Sequence, residues 1–227
     1  MSFISPRLKK AAEMVLKGVP VVDVGTDHAY LPAYLIINGT VPSASAGDIG
    51  IKPLKNAAQT LARYGIEDKV RLSVSDGLKN IDIPSKANIT VCGMGGTLIS
   101  QILNDSRDRI SRSGIRLILQ PMTRSEDVRA WLCENSFGII SEACVRDSGR
   151  VYCCIAAEYC GKTHGNSPGF YRFGLINGDS EEERIYINAQ IKRVRTRYNA
   201  IADSDIRREE ISMLESVISY YESRYGK

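Results

Sequence analysis

Four aspartates and a run of glycines stand where an alternating fold could use them. Asp23 lies inside a short apolar run, residues 19–24, that ends in Gly25-Thr26-Asp27-His28-Ala29-Tyr30. Asp48, followed by Ile49, comes 25 residues after Asp23 and ends a weaker run over 43–47. Asp76-Gly77 closes a third run, 70–75, and a fourth, 88–92, opens into Gly93-Met94-Gly95-Gly96. Each run reads as a strand. In open α/β sheets, ligands bind at the carboxyl ends of strands, where the strand order reverses. Acidic strand ends accept hydrogen bonds from ribose hydroxyls. An Asp-Gly turn can hold the edge of an adenine. Glycines let the backbone come close to a ligand or a flat substrate.

The first loop narrows the ligand class. A dinucleotide site wants further glycines and a helix N-terminus aimed at a pyrophosphate. Here Asp27 and Ala29 occupy those places, and a carboxylate repels phosphate. S-adenosylmethionine has no phosphate and carries a sulfonium and an ammonium, so it suits this loop. The candidate cofactor residues are Asp23, Gly25, Thr26, Asp48, Ile49, Asp76, Gly77, Gly93, Met94 and Gly95. Each has a structural alternative: a strand-to-helix turn at 25–30, a helix N-cap at Asp48, an ordinary Asp-Gly turn at 76–77. Cys92 reads as a core thiol, because no neighbour in sequence lowers its pKa.

The elements between these loops follow from periodicity. Ser5-Pro6 starts a helix with Leu8, Ala11, Ala12 and Val15 on one face, closed by Gly18. Residues 30–37 are a helix, Pro53 begins another, and Leu98, Ile99, Ile102 and Leu103 stripe a fourth. A fifth strand over 116–120 is stopped by Pro121, and Ser125 caps the next helix. Residues 138–145 and 151–158 are then joined by only five residues, too few for a crossover helix, so they pair antiparallel. Five alternating units and an antiparallel hairpin make a Rossmann-like class I methyltransferase sheet: seven strands, mostly parallel, with the last antiparallel. Residues 1–159 form that domain. Residues 160–179, with five glycines, read as a linker or surface loop. In 180–227, Ser180 begins a capping box. Ile187, Ile191, Val194, Tyr198 and Ile201, then Ile211, Leu214, Ile218, Tyr221 and Tyr225, repeat every three and four residues. That predicts an all-α antiparallel coiled-coil hairpin.

Composition bounds the partners. The chain has 227 residues, 43% hydrophobic and 25% charged, enough to build a core. No apolar run is long enough to span a membrane, and MSFISPRLKK holds no signal-peptide core. The six cysteines form no CxxC and only two histidines accompany them, so no metal site is expected and the thiols suit a reducing cytoplasm. The net charge of +4 permits a polyanionic partner without requiring one. Lys192, Arg193, Arg195 and Arg197 cluster within a segment, 180–227, whose nine basic and nine acidic residues cancel. They are candidate phosphate contacts or one face of a solvated hairpin. Arg107, Arg109, Arg112 and Arg116, and Arg7, Lys9, Lys10 and Lys17, are further basic groups.

Val-Asp-Val-Gly-Thr-Asp-His-Ala-Tyr-Leu-Pro (22–32), Gly-Met-Gly-Gly (93–96), Leu-Gln-Pro-Met (119–122) and the terminal helical hairpin resemble one family, the bacterial tRNA (adenine-22-N1)-methyltransferases. The resemblance spans essentially the whole chain. It implies methyl transfer from S-adenosylmethionine to N1 of an adenine in the D-arm region of tRNA. Asp27, His28 and Tyr30 are then the candidate catalytic residues. A carboxylate beside the base stabilises positive charge moving onto the ring, Tyr30 stacks, hydrogen-bonds or is a helix residue packed on the sheet, and His28 contacts substrate or serves structure. The competing readings are a methyltransferase of another RNA base or of a small metabolite, with the hairpin serving dimerisation, and a non-catalytic RNA-binding protein. The expected partner is tRNA, with no membrane and no metal; a monomer is the simpler expectation for assembly.

Overall fold

The computed structural model describes residues 4–163 and 165–226, so residues 1–3 and 227 of the two expected domains lie outside it. Strands β1 (Val21–Val24), β2 (Ala44–Asp48), β3 (Val70–Val74), β4 (Ala87–Gly95), β5 (Ile115–Thr123), β6 (Phe137–Asp147) and β7 (Arg150–Tyr159) form one sheet. Its order is β3-β2-β1-β4-β5-β7-β6. β1 to β5 are parallel, and β7 runs antiparallel to both β5 and β6. This is the expected methyltransferase sheet. The strand order reverses between β1 and β4, which puts their carboxyl ends side by side.

Alternation along the strands covers both faces. Val21, Ala46, Ile118 and Cys154 face one core with helices α1 (Pro6–Glu13), α2 (Tyr30–Ile37) and α3 (Ile51–Tyr64). Val22, Val24, Val91, Leu117, Leu119 and Ile155 face the other, under α4 (Gly96–Asp105), α5 (Arg107–Ile110) and α6 (Ser125–Glu134). Asn88, fully buried on β4, bonds the backbone of Leu16 and Val19 through its side chain and fixes the segment after α1. Ser148 and Gly149, at φ 50° and 77°, close the β6–β7 hairpin, as a two-residue turn with both φ positive requires.

Three expectations are corrected. Pro121 does not end β5, which pairs with β4 as far as Thr123 across register shifts at Cys92/Met94 and Met94/Gly95; the irregularity absorbs the missing N–H. The first helix ends at Glu13, well before Gly18. Residues 160–179 are not all linker: Pro168–Phe173 forms α7, with the Ser167 hydroxyl accepting from Phe170 N. Phe173 is fully buried among Tyr220, Tyr221 and Tyr225, at centroid distances of 6.1, 5.9 and 5.4 Å.

The predicted terminal hairpin is α8 (Glu181–Ile201) and α9 (Arg208–Tyr225). Ser180 caps α8 by accepting from Glu183 N, while Glu183 turns back to the backbone N–H groups of Gly178 and Asp179. Ile187, Ile191, Val194, Leu214 and Val217 continue the same core that covers the sheet, so the hairpin packs on the methyltransferase layer. A buried network anchors it. Arg129 on α6, wholly enclosed, pairs with Glu142 of β6 at 2.7 Å and donates to the carbonyls of Tyr171 and Arg172. It also donates to the hydroxyl of Tyr186 on α8, which lies 2.7 Å from Ser125 Oγ.

Candidate active site

At the carboxyl end of β1, Gly25 and Thr26 both donate to the carbonyl of Gly47, at 2.8 and 3.0 Å. Gly25 takes φ 75°, a conformation that side chains resist. Ala29, at φ 51°, turns the chain into α2. This places Asp27, His28 and Tyr30 around a cavity of about 250 Å³, lined also by Arg7, Asp23 and Cys92. The rings of His28 and Tyr30 stack 5.0 Å apart and 6° from parallel. His28 Nε2 lies 3.5 Å from Asp27 Oδ2, and the Asp27 side chain is 69% exposed.

Asp23 sits deeper and is only 7% exposed. Thr90 Oγ1 donates to it at 2.6 Å. Burial outweighs that bond and pushes its pKa up to about 6. Burial, with the Asp23 charge adding, pushes the Cys92 thiol well above its usual range. That agrees with the core thiol expected of Cys92.

The glycine loop follows Cys92 at the end of β4 and borders the cavity. Gly93 N and Arg7 Nη1 both donate to Oε1 of the buried Gln120, each at 3.1 Å. A Cβ at Gly93 would lie 3.0 Å from that guanidinium, and one at Gly96 only 2.0 Å from the Arg124 carbonyl. Gly95 caps α4, and the Met94 side chain lies over Gly25. Arg7 lines the cavity and Gln120 lies just behind it; the sequence places Arg7 in a basic group and Gln120 in the 119–122 motif without assigning either to the site.

The other strand ends fit the expected group unequally. Ile49 and Val74, at the ends of neighbouring β2 and β3, are 73% and 53% exposed. Each leaves an apolar side chain open to solvent at its strand end. Asp48 Oδ1 accepts from Gly50 N at 2.7 Å in an Asx-type turn; Gly50, not Asp48, is the N-cap of α3, so the capping alternative is not realised. Asp76 pairs with Lys79 at 2.6 Å, and Gly77 takes φ 57°.

The basic groups divide sharply. Arg109 donates to the carbonyls of Leu78, Lys79 and Ile81, and Arg112 to those of Ile83 and Pro84. Arg116 pairs with Glu158 at 2.6 Å. They tie loops together at the amino end of β5, across the sheet from the cavity, and are not brought to it. On α8, Arg197 is held by Glu210 at 2.6 Å, and Arg195 by Glu222 at 3.4 Å and by the ring of Tyr221. Lys192 and Arg193 are exposed on the same helix.

A seven-stranded sheet of this order, with acidic residues and glycines gathered where β1 and β4 diverge, defines a methyltransferase. Residues 4–155 match the methyltransferase domain family, and the chain belongs to it. It is similar to the tRNA (adenine(22)-N(1))-methyltransferase of Bacillus subtilis, 34% identical over 155 residues that span 68% of this chain and 65% of that protein. The crystal structure of the B. subtilis m1A22 tRNA methyltransferase TrmK superposes with a TM-score of 0.87 at 26% identity, covering 98% of this chain and 99% of that one. A Streptococcus pneumoniae protein solved in complex with S-adenosyl-L-methionine superposes with a TM-score of 0.78 at 29% identity, over 93% and 97% of the two chains. These matches bear out the resemblance drawn from residues 22–32, 93–96 and 119–122.

Proposed function

We propose that the protein transfers a methyl group from S-adenosylmethionine to N1 of adenine 22 of tRNA, acting as a monomer in the cytoplasm. The observation that carries this reading is the Asp27–His28–Tyr30 cluster at the mouth of the β1 cavity, on a chain similar throughout its length to an m1A22 tRNA methyltransferase.

S-adenosylmethionine supplies an electrophilic methyl on a sulfonium. Asp23 offers a buried carboxylate to its cationic end. Asp48 offers an acceptor to ribose hydroxyls, and the exposed Ile49 an apolar contact to the adenine. Thr26, Asp76 and Gly77 border the same strand ends. Gly25, Gly93, Met94 and Gly95 shape the backbone around it.

Neutral adenine N1 has its own lone pair, so the attack needs no obligatory base. Positive charge develops on the ring, and the exposed Asp27 carboxylate offsets it. The parallel rings of His28 and Tyr30 offer a stacking platform for the base. N1 lies on the Watson–Crick edge, so the target enters unpaired or extruded. Orientation supplies most of the acceleration. Incubation with an unmodified tRNA transcript, followed by nucleoside analysis, tests the reading: 1-methyladenosine at a single site is expected, and its absence refutes it.

A further inference from the structure

Between the end of β5, the β6–β7 turn and α8 lies a cleft of about 550 Å³ lined by Arg124, Arg146, Arg150 and Arg193. Neither motif nor spacing groups these residues, since 69 positions separate the first from the last. Arg124 is paired with Asp127, and Arg146 with Glu181 at 2.8 Å. Arg150 and Arg193 are exposed and have no carboxylate partner among the described residues. The floor is polar and rigid: Tyr186 is held by Ser125 and Arg129, beside the buried Gln190.

The cleft adjoins the candidate active site. Its Thr123 pairs with Gly95 of the glycine loop, and its Arg124 carbonyl packs on Gly96. The step from β4 to β5 is one strand, about 4.8 Å. An extended polyanion leaving the site past Gly95 and Gly96 reaches the Thr123–Arg124 rim of this cleft.

We propose that this cleft seats the phosphodiester backbone of the RNA next to the target base, with Arg150 and Arg193 as its contacts and α8 as its outer wall. This rests on the tRNA reading above. It moves the phosphate site along α8, away from Arg195 and Arg197, whose charges are already met by Glu222 and Glu210.

The test compares salt titrations of tRNA binding for the parent, Arg150→Ala/Arg193→Ala and Arg195→Ala/Arg197→Ala, with S-adenosylmethionine calorimetry on each. Removing one cation that neutralises a phosphate flattens the salt slope by about one unit. The first variant should therefore flatten it by about two units and raise the KM for tRNA, with donor affinity and kcat unchanged. Arg150→Lys/Arg193→Lys should restore the slope, because phosphate binding of this kind depends on charge. The second variant should keep the parent slope. A parent that methylates tRNA beside an Arg150→Ala/Arg193→Ala variant with a superimposable salt curve overturns the cleft alone. A parent that neither binds nor methylates tRNA overturns the functional reading, and the cleft with it.

Discussion

A Cβ built on Gly25 would lie 2.0 Å from the terminal methyl of Met94. The β1 loop and the glycine loop of β4 thus touch through a hydrogen on one side and a flexible thioether on the other. The thioether can swing away, but φ 75° at Gly25 cannot be relieved. Gly25→Ala should cost about 1–2 kcal/mol from the left-handed backbone. It should also weaken S-adenosylmethionine binding at least about tenfold, or 1.4 kcal/mol, because the new methyl displaces the Met94 side chain and strains the loop that lines the cavity. Thermal melts and calorimetry read the two effects separately; unchanged donor affinity would place the donor away from this loop.

One substitution separates the turn bond of Asp48 from its proposed contact with ribose. Asp48→Asn keeps an oxygen for the Gly50 N–H and removes the charge. Hydrogen bonds to charged groups contribute roughly 1.5–3 kcal/mol against about 0.5–1.5 for neutral ones. Donor affinity should fall about tenfold while the melting temperature stays within error. Equal affinity in the two proteins would leave Asp48 as a turn residue only.

Donor binding should depend on pH if the donor's cationic end meets Asp23. Its pKa is raised by burial to about 6 from 3.8. A raised carboxyl stabilises the fold below pH 4 and loses that contribution as pH rises through 6. In the absence of donor, Asp23→Asn should therefore raise the melting temperature at pH 7.5, and the gain should vanish by pH 4. A cationic ligand needs the ionised form, so donor affinity of the parent should decline below pH 6 with proton uptake by the free protein. Pressing the same titration on Asp23→Asn should give a flat profile; a matching decline in both would acquit Asp23.

Asp27→Ala should lower kcat by about 10²–10³, the range for one electrostatic group facing developing charge. The side chain is largely exposed, so the melting temperature should not move. Single-turnover methylation at the parent rate would remove Asp27 from the chemistry.

Glu142→Gln leaves the fully enclosed Arg129 guanidinium without its counter-charge. Breaking a buried pair by removing one partner costs about 3–5 kcal/mol. Urea denaturation should show a lower midpoint, since the pair joins α6, β6, α7 and α8. A shift under about 1 kcal/mol would mean that the carbonyls of Tyr171 and Arg172 suffice to hold the arginine.

Local chemistry and periodicity determined much of this protein. Alternation of apolar residues and the helical stripes depend on near neighbours in the chain, so strands, helices and the terminal hairpin were legible, as were the loops at 25–30 and 93–96. Extent and environment were not. β5 runs through Pro121 because β4 bulges beside it, and α7 exists because Phe173 finds three tyrosines on α9. Arginines show the divide most clearly. Arg109, Arg129, Arg150 and Arg197 are alike as letters, yet one clamps a loop, one is buried against Glu142, one lines an open cleft and one is held by Glu210. A long cation takes its role from whatever carboxylate, carbonyl or solvent the fold brings within reach, and those partners are distant in the chain.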